Sequence, residues 1–388
     1  MILHLDLDCF FVAALRLQNP NLKGKPVAVV GGNSATIFGE EDRVGTVILS
    51  ASYEARKYGV RSAMILKKAK ALCPNLLIAK SDMKFYKELS KKLHNLLYSY
   101  TPDIEKYSID EFFMDLEGIS AKKNPIGFAK KLQSQILDEL GLPCSIGLSE
   151  GKFIAKFTTD MVKPFGIGLT KVDEAKQKFK NIDIGKFPGV GRSVLKTLNK
   201  NGVFTIGQTW DAKFVFEKLG KNGIKLYENI TGSGGNDLEI LSRRKSFSRG
   251  RTFDALKDRQ EVKRRVLILC RYLSFDIFKF GQNPTKFELK IRYYDRQTFS
   301  QSVTIKEKFS ENLLDKTMME LFDRCDKLKQ FSIMYISVGV GGFVDEGSIE
   351  KNLFSGDDKD KKIYLSIQKI REKYGIDSVL SAAEIKNN

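Results

Sequence analysis

Apolar and polar residues alternate with period 2 over Leu3-His4-Leu5-Asp6-Leu7-Asp8, which predicts a strand at 2–7 with three leucines on one face and Asp6 on the other. A short helical stretch follows near 10–18, and Pro26-Val27-Ala28-Val29-Val30 predicts a second strand ending at Gly31-Gly32. Val47-Ile48-Leu49 reads as another strand, and Ser52 stands where the N-cap of a helix beginning Tyr53-Glu54-Ala55-Arg56 should be. Helical periodicity runs over 83–99, followed by a strand pair around Asp110, a helix near 125–140 and a strand over Cys144-Ser145-Ile146-Gly147-Leu148. Strands and helices in this order predict an α+β layer. From about 167 the pattern breaks into short helices, and Thr231-Gly232-Ser233-Gly234-Gly235 has the composition of a flexible linker. Beyond it, a helix at 260–280, strands at 286–294 and 299–305, a helix at 311–326 and a strand at 331–339 predict a second, split α/β sandwich. Ile363, Ile367, Ile370 and Tyr374 form one stripe of a final helix, predicted to pack on the body.

A chain of 388 residues exceeds what one core organises, so two to four domains are expected. The net charge of +18 is uneven: residues 241–310 hold 18 Lys and Arg against 7 Asp and Glu, whereas 101–120 hold six acids against Lys106 alone. That polarity suits a protein that binds a polyanion in one region and cations in another. The five cysteines are far apart with no C-x-x-C, which points to a reduced, cytoplasmic protein without zinc or disulfides. No signal peptide or apolar run of the ~20 residues that span a bilayer is seen, so no membrane role is expected. Only His4 and His94 are present, so chemistry must rest on carboxylates, Lys, Arg and Tyr.

The candidate chemistry lies where carboxylates interrupt apolar sequence. Asp6 belongs to the leucine strand, and Asp110-Glu111 precedes Phe112-Phe113-Met114. A half-solvated strand and a plain acidic turn would show the same local patterns. Read together, three hard-oxygen donors on two strands suit magnesium shared with substrate phosphates, and a pair of such ions serves in-line phosphoryl transfer. Further on, Phe187-Pro188-Gly189-Val190-Gly191-Arg192 followed by Val194, Leu195 and Leu198 reads as a helix-hairpin-helix whose Gly189 and Gly191 let backbone approach a phosphate. An ordinary Gly-Pro turn is the alternative. The basic strand Arg243 to Phe253 presents Arg249 and Arg251 on one face, to track a nucleic acid backbone or simply to face solvent.

The ordered set Asp6-Leu7-Asp8-Cys9-Phe10-Phe11, Ser52 to Val60, Tyr107-Ser108-Ile109-Asp110-Glu111, Ser145-Ile146-Gly147, Asp160-Met161-Val162-Lys163-Pro164 and Pro188-Gly189-Val190-Gly191 resembles the Y-family, or translesion, DNA polymerases over residues 1 to about 342. The resemblance implies an α+β, multidomain right-hand polymerase: a ferredoxin-like palm (1–10 and 76–166), small fingers (11–75), a helical thumb (167–232), a linker (233–241) and a C-terminal α/β little finger (242–342). It implies that Asp6, Asp110 and Glu111, with the carbonyl of Leu7, hold two magnesium ions, manganese being the substitute, and that Asp8 is structural. Tyr53, Arg56, Lys163 and Phe10 then belong to the nucleotide site, Phe11 to a steric gate against the ribose 2′-hydroxyl, and Leu49 to the wall facing the nascent base pair. The implied partners are primer-template DNA and deoxynucleoside triphosphates, with a monomeric enzyme acting in error-prone repair. Asn33 to Gly45 departs from the family pattern, and Gly151 stands where an Asn is common. Ile349-Glu350-Lys351-Asn352-Leu353-Phe354, in a separate tail from 343, loosely resembles the family's sliding-clamp peptide but lacks the usual Gln. A noncatalytic DNA-binding repair factor would leave the carboxylates without purpose, and a palm-type nucleotide cyclase would not need the thumb, the linker or the basic segment.

Overall fold

The computed structural model describes residues 1–31, 37–38, 46–240, 244–345 and 357–385. The sequence Asn33 to Gly45 lies outside them except for 37–38, and the clamp-like peptide 349–354 lies outside them entirely. The chain forms two compact units, the first of residues 1–31 and 47–242 and the second of residues 32–46 and 243–388.

In the first unit, strand β1 (Ile2–Leu7) enters helix α1 (Phe10–Gln18), followed by β2 (Val27–Val30), β3 (Ile48–Ala51), α2 (Tyr53–Lys57), α3 (Leu66–Leu72) and β4 (Leu77–Lys80). Helix α2 starts at the expected cap, the Ser52 hydroxyl accepting from the Ala55 N–H at 3.2 Å. Strands β3, β2 and β4 form a small sheet of their own with a core of Ala28, Val30, Ile48 and Val60. Helix α4 (Met83–Tyr98) leads to β5 (Ile104–Lys106), β6 (Glu111–Asp115), α5 (Pro125–Leu140), β7 (Cys144–Ser149), α6 (Lys152–Val162) and β8 (Ile167–Leu169). These strands build a five-stranded sheet in the order β5-β6-β1-β7-β8. Leu3, Leu5 and Leu7 face α4 and α5, meeting Tyr86, Leu89, Leu93 and Leu132, whereas Ile2, His4 and Asp6 turn toward α6. Both faces of β1 are therefore covered, which excludes the half-solvated strand: Asp6 is 6% exposed. Gly147 lets α6 lie close on this sheet, since a Cβ there would stand 2.2 Å from the Ala155 carbonyl oxygen.

The remainder of this unit is helical: α7 (Val172–Lys178), α8 (Arg192–Lys200), α9 (Lys213–Glu217) and α10 (Lys221–Thr231), around Phe179, Ile184, Phe187, Leu198, Phe216 and Ile230. The glycine-rich stretch after α10 was expected to be a free linker, yet its continuation is pinned to the sheet. Asn236 Oδ1 accepts from the Lys152 N–H that opens α6 at 2.8 Å, Glu239 N–H donates to Glu105 Oε2 at 2.7 Å, and Leu238 packs against Ile2, Phe113 and Ala155. Glu105, 6% exposed, is in turn paired with Lys152 at 2.5 Å. The composition of residues 231–235 describes the glycines only; the anchors follow them.

The second unit contains β9 (Ser246–Leu256), α11 (Arg259–Phe280), β10 (Asn283–Tyr293), β11 (Thr298–Thr304), α12 (Glu311–Cys325) and β12 (Ile333–Val344), within a few residues of the elements expected. The sheet order is β11-β10-β12-β9, all antiparallel, with α11 and α12 on one face over Phe287, Leu289, Ile291, Ile336 and Val338. A final helix, α13 (Asp357–Tyr374), joins this unit, but through another face than the one predicted. Tyr364, Gln368 and Arg371 are buried, while Ile363, Ile370 and Tyr374 are exposed. The reason is electrostatic: Arg371 reaches both Glu311 oxygens at 2.5 and 2.9 Å, and Gln368 and Tyr364 bond to Ser274. A satisfied polar face here wins over an apolar one.

Candidate active site

Antiparallel pairing of β1 with β6 sets Asp6 opposite Glu111, and the Leu7 N–H donates to the Asp110 carbonyl at 3.1 Å. Ser108 shapes the turn that carries the acids: its hydroxyl donates to Asp110 Oδ1 at 2.6 Å and accepts from the N–H groups of Asp110 and Glu111 at 3.2 and 3.0 Å. Burial pushes the Asp6 carboxyl up to about 8 against the attraction of Lys163, with Glu111 adding to the rise, and burial likewise raises Asp110. Burial thus disfavours the charged form of these carboxyls, and a cation beside them restores it.

Two lysines supply part of the positive charge such groups need. Lys163 Nζ donates to Asp6 Oδ2 at 2.5 Å, and Lys156 Nζ to Glu111 Oε1 at 2.6 Å. Lys163 was read as a phosphate contact and Lys156 was missed, because on α6 it looks like any other helix lysine until the fold sets it beside β6. Among the described residues no three carboxylate, imidazole or thiolate groups close into a coordination cluster. The donor set nonetheless fits hard divalent ions, being all oxygen and anionic, with ammonium groups lying on two of its members.

A cleft of about 190 Å³ gathers most of the remaining residues singled out by the sequence. Asp6, Leu7, Asp110 and Lys163 line it together with Phe11, Leu49, Tyr53 and Arg56, joined by Ser50 and Ser62, which sequence reasoning did not mark. Phe11 is half-buried and stacks face to face on Tyr86, with ring centroids 4.4 Å apart and planes at 11°. Phe10 also borders the cleft, but it is 2% exposed and its ring belongs to the core beneath. Arg56 bonds through Nε to the Ala51 carbonyl at 3.0 Å and lies over the Tyr53 ring. The Tyr53 phenol, expected as a free donor, gives its proton to Asp8 Oδ1 at 3.2 Å, and burial followed by the Asp8 charge raises its pKa.

The residues read as nucleic acid contacts divide. Gly189 adopts φ +92°, a left-handed backbone that favours glycine, and Gly191 is the N-cap of α8, the arrangement the hairpin motif requires. Arg249 and Arg251 do not stand on an open sheet face. Arg249 makes a two-pronged ion pair with Asp276 of α11 at 2.6 Å, which turns this alternate set of β9 toward the helices. The open face carries the complementary set: Ser246 and Ser248 of β9 border a cleft of about 500 Å³ with Lys286 and Lys290 of β10 and Ser337 of β12. Period 2 predicted the shared face correctly, but not which face the helices cover.

A carboxylate trio on a five-stranded α+β sheet, a cleft in which Asp6 and Asp110 meet Arg56 and Lys163, and a helical segment with a glycine hairpin suit a nucleotidyl-transferring class of protein. Residues 5–160 match the model of the impB/mucB/samB family, and residues 244–353 match that family's C-terminal domain. The chain is 31% identical over 408 residues to DNA polymerase IV of Alkaliphilus oremlandii (strain OhILAs), covering 99% of both, and 31% identical over 393 residues to DNA polymerase IV of Bacillus anthracis, covering 97% of this chain and 91% of that one. Among solved structures it resembles a Y-family DNA polymerase chimera with a TM-score of 0.75 at 23% identity, over 89% of this chain and 99% of that one. The chain belongs to the impB/mucB/samB family of Y-family DNA polymerases, and it is a DNA-directed DNA polymerase of the translesion class.

Proposed function

We propose that the chain extends a primer on a DNA template from deoxynucleoside triphosphates, with Asp6, Asp110, Glu111 and the Leu7 carbonyl holding two magnesium ions. The observation that carries this reading is one cleft shared by Asp6 and Asp110 with Tyr53, Arg56 and Lys163. The ions, when bound, favour ionisation of the primer 3′-hydroxyl and neutralise charge on the departing pyrophosphate. Arg56 and Lys163 pair with the triphosphate oxygens, the first as a planar fork and the second as a point charge. Lys163 exchanges its bond to Asp6 for that contact. Phe11, braced by Tyr86, closes the space beneath C2′ of the sugar.

On this reading the five-stranded sheet is the palm, the small three-stranded sheet the fingers, helices α7 to α10 the thumb and the second unit the little finger. Gly189 and Gly191 meet phosphates, and the serine- and lysine-lined open face of β9, β10 and β12 takes the place first assigned to Arg249 and Arg251. The enzyme acts as a cytoplasmic monomer, accepts manganese in place of magnesium, and uses residues 349–354 for the sliding clamp. Primer extension with magnesium, comparing the parent with an Asp110→Ala, Glu111→Ala double variant that binds DNA equally, tests the assignment. Distributive extension by the parent and a loss of at least about 10³-fold in the variant is the expected result, the size that removal of preorganised charge stabilisation brings. Equal extension by both would remove the carboxylates from the chemistry.

A further inference from the structure

Asp8 follows the carboxylate strand but, among the described residues, pairs with no cation. It is 3% exposed, and the donors it engages there are neutral. Phe165 N–H donates to Oδ2 at 2.7 Å, the Ser145 hydroxyl lies 3.0 Å from Oδ2 and 3.1 Å from Oδ1, and the Tyr53 hydroxyl donates to Oδ1 at 3.2 Å. A carboxylate buried without a counter-charge is costly and tolerable only with its lone pairs met. The donors come from three separate segments: strand β7, the first residue of α2 and the loop after α6. The sheet itself needs none of them, since its strands pair through backbone.

The backbone around Asp8 is strained as well. Cys9, its neighbour, has φ +48°, and Phe165, its donor, has φ +54°. Left-handed conformations at non-glycine residues persist where the surroundings over-determine them, and they gather at functional sites. Lys163, two residues before Phe165, is the ammonium that reaches Asp6. Asp8 thus joins two parts of the nucleotide cleft, the Tyr53 phenol and the loop that delivers Lys163.

We propose that Asp8 is a positioning residue which aligns Tyr53 and the Lys163–Phe165 loop as one triphosphate grip, an inference that rests on the nucleotide site assigned above. The Tyr53 ring is held in place while its hydroxyl proton can rotate from Asp8 to a phosphate oxygen, the 3.2 Å bond being longer than the usual O–H···O distance. The phosphate oxygen then takes the place of Asp8 as acceptor of the Tyr53 hydroxyl, and the Ser145 hydroxyl and Phe165 N–H keep the carboxylate solvated.

Single-nucleotide insertion kinetics on Asp8→Asn, Tyr53→Phe and the double variant test this. Asn is isosteric but cannot accept at both positions, so the expected outcome is a KM for the incoming nucleotide raised about tenfold, the order of one lost hydrogen bond to a charged group. The kcat is expected to stay within about threefold, with primer-template affinity unchanged. The double variant should lose less than the product of the two singles, because they share a contact. Should Asp8→Asn fail to fold, Asp8→Glu keeps the charge, displaces it by one methylene and carries the same expectation. A KM that is unchanged or lowered, or single effects that multiply, overturns the inference. A parent that inserts normally while the variants match it sinks only the role of Asp8, whereas a parent that inserts nothing sinks the nucleotide site beneath it.

Discussion

Phe11 is the residue whose geometry makes the plainest prediction. Its ring rests flat on Tyr86 in the core beside the cleft, so it cannot swing aside when a 2′-hydroxyl approaches. Phe11→Ala should admit ribonucleotides with a gain of at least about tenfold relative to the parent, the scale of removing a steric clash, and unchanged sugar discrimination in single-nucleotide insertion would refute the gate. A second residue lies far from the chemistry. Asp315 on α12 has a buried Oδ1 without a hydrogen-bond partner among the described residues, and burial, then Glu311 and Glu384, push its carboxyl up to about 8 from 3.8. The folded form therefore keeps a proton that the unfolded form sheds, and stability falls as pH rises from about 4 to about 8. Asp315→Asn mimics the protonated state and should flatten that fall, by at most about 1.4 kcal/mol per pH unit. Urea unfolding of parent and variant at pH 6 and pH 8 measures it, and parallel curves would dismiss the shift. The three acids proposed for metal binding were legible because they break an apolar run; Lys156, Asp315 and the partners of Asp8 were not, because a polar residue on a helix or turn reveals its neighbour only when the chain folds.

Helix α13 shows what is decided between elements. Its Arg371 side chain, 2% exposed, binds both oxygens of Glu311 and the Val379 carbonyl, so the segment to residue 385 is stapled to α12. Arg271 of α11 adds bonds to Asp377 and Glu384 at 2.6 and 2.7 Å. Arg371→Met should cost about 3–5 kcal/mol locally, as for a buried pair robbed of one partner, and limited proteolysis should then release the tail while basal primer extension persists. Resistance equal to the parent would mean the staple is redundant. This packing also changes how the clamp peptide is best tested. Deleting 349–388 removes the structural helix together with the peptide, so Leu353→Ala with Phe354→Ala is the cleaner variant. It should lower clamp-stimulated synthesis and leave basal synthesis intact; equal activity with and without clamp in parent and variant alike would end that reading.

At the scale of the molecule, charge is the main determinant. The surplus of basic residues over 241–310 and the lysines of the open sheet face suit the proposed contact with phosphates rather than with bases. Primer-template affinity should fall about tenfold or more between 50 and 200 mM salt, with little dependence on sequence; a shallow salt slope would contradict it. Sequence by itself determined the type and order of many of the described elements, among them β1, β7 and β9 to β12, and set Asp6, Asp110 and Glu111 inside apolar runs, because hydrophobic period and composition are local properties; α3, β4, α6 and β8 left no clear pattern in it. Tertiary structure alone decided that both faces of β1 are buried, that α11 covers the Arg249 side of β9, that α13 docks through Arg371, that Glu105 and Lys152 pin the stretch after α10, and that Asp8 joins Tyr53 to Phe165. Periodicity tells which side chains share a face; which face is covered, and what meets a buried charge, depends on surfaces brought together from distant parts of the chain.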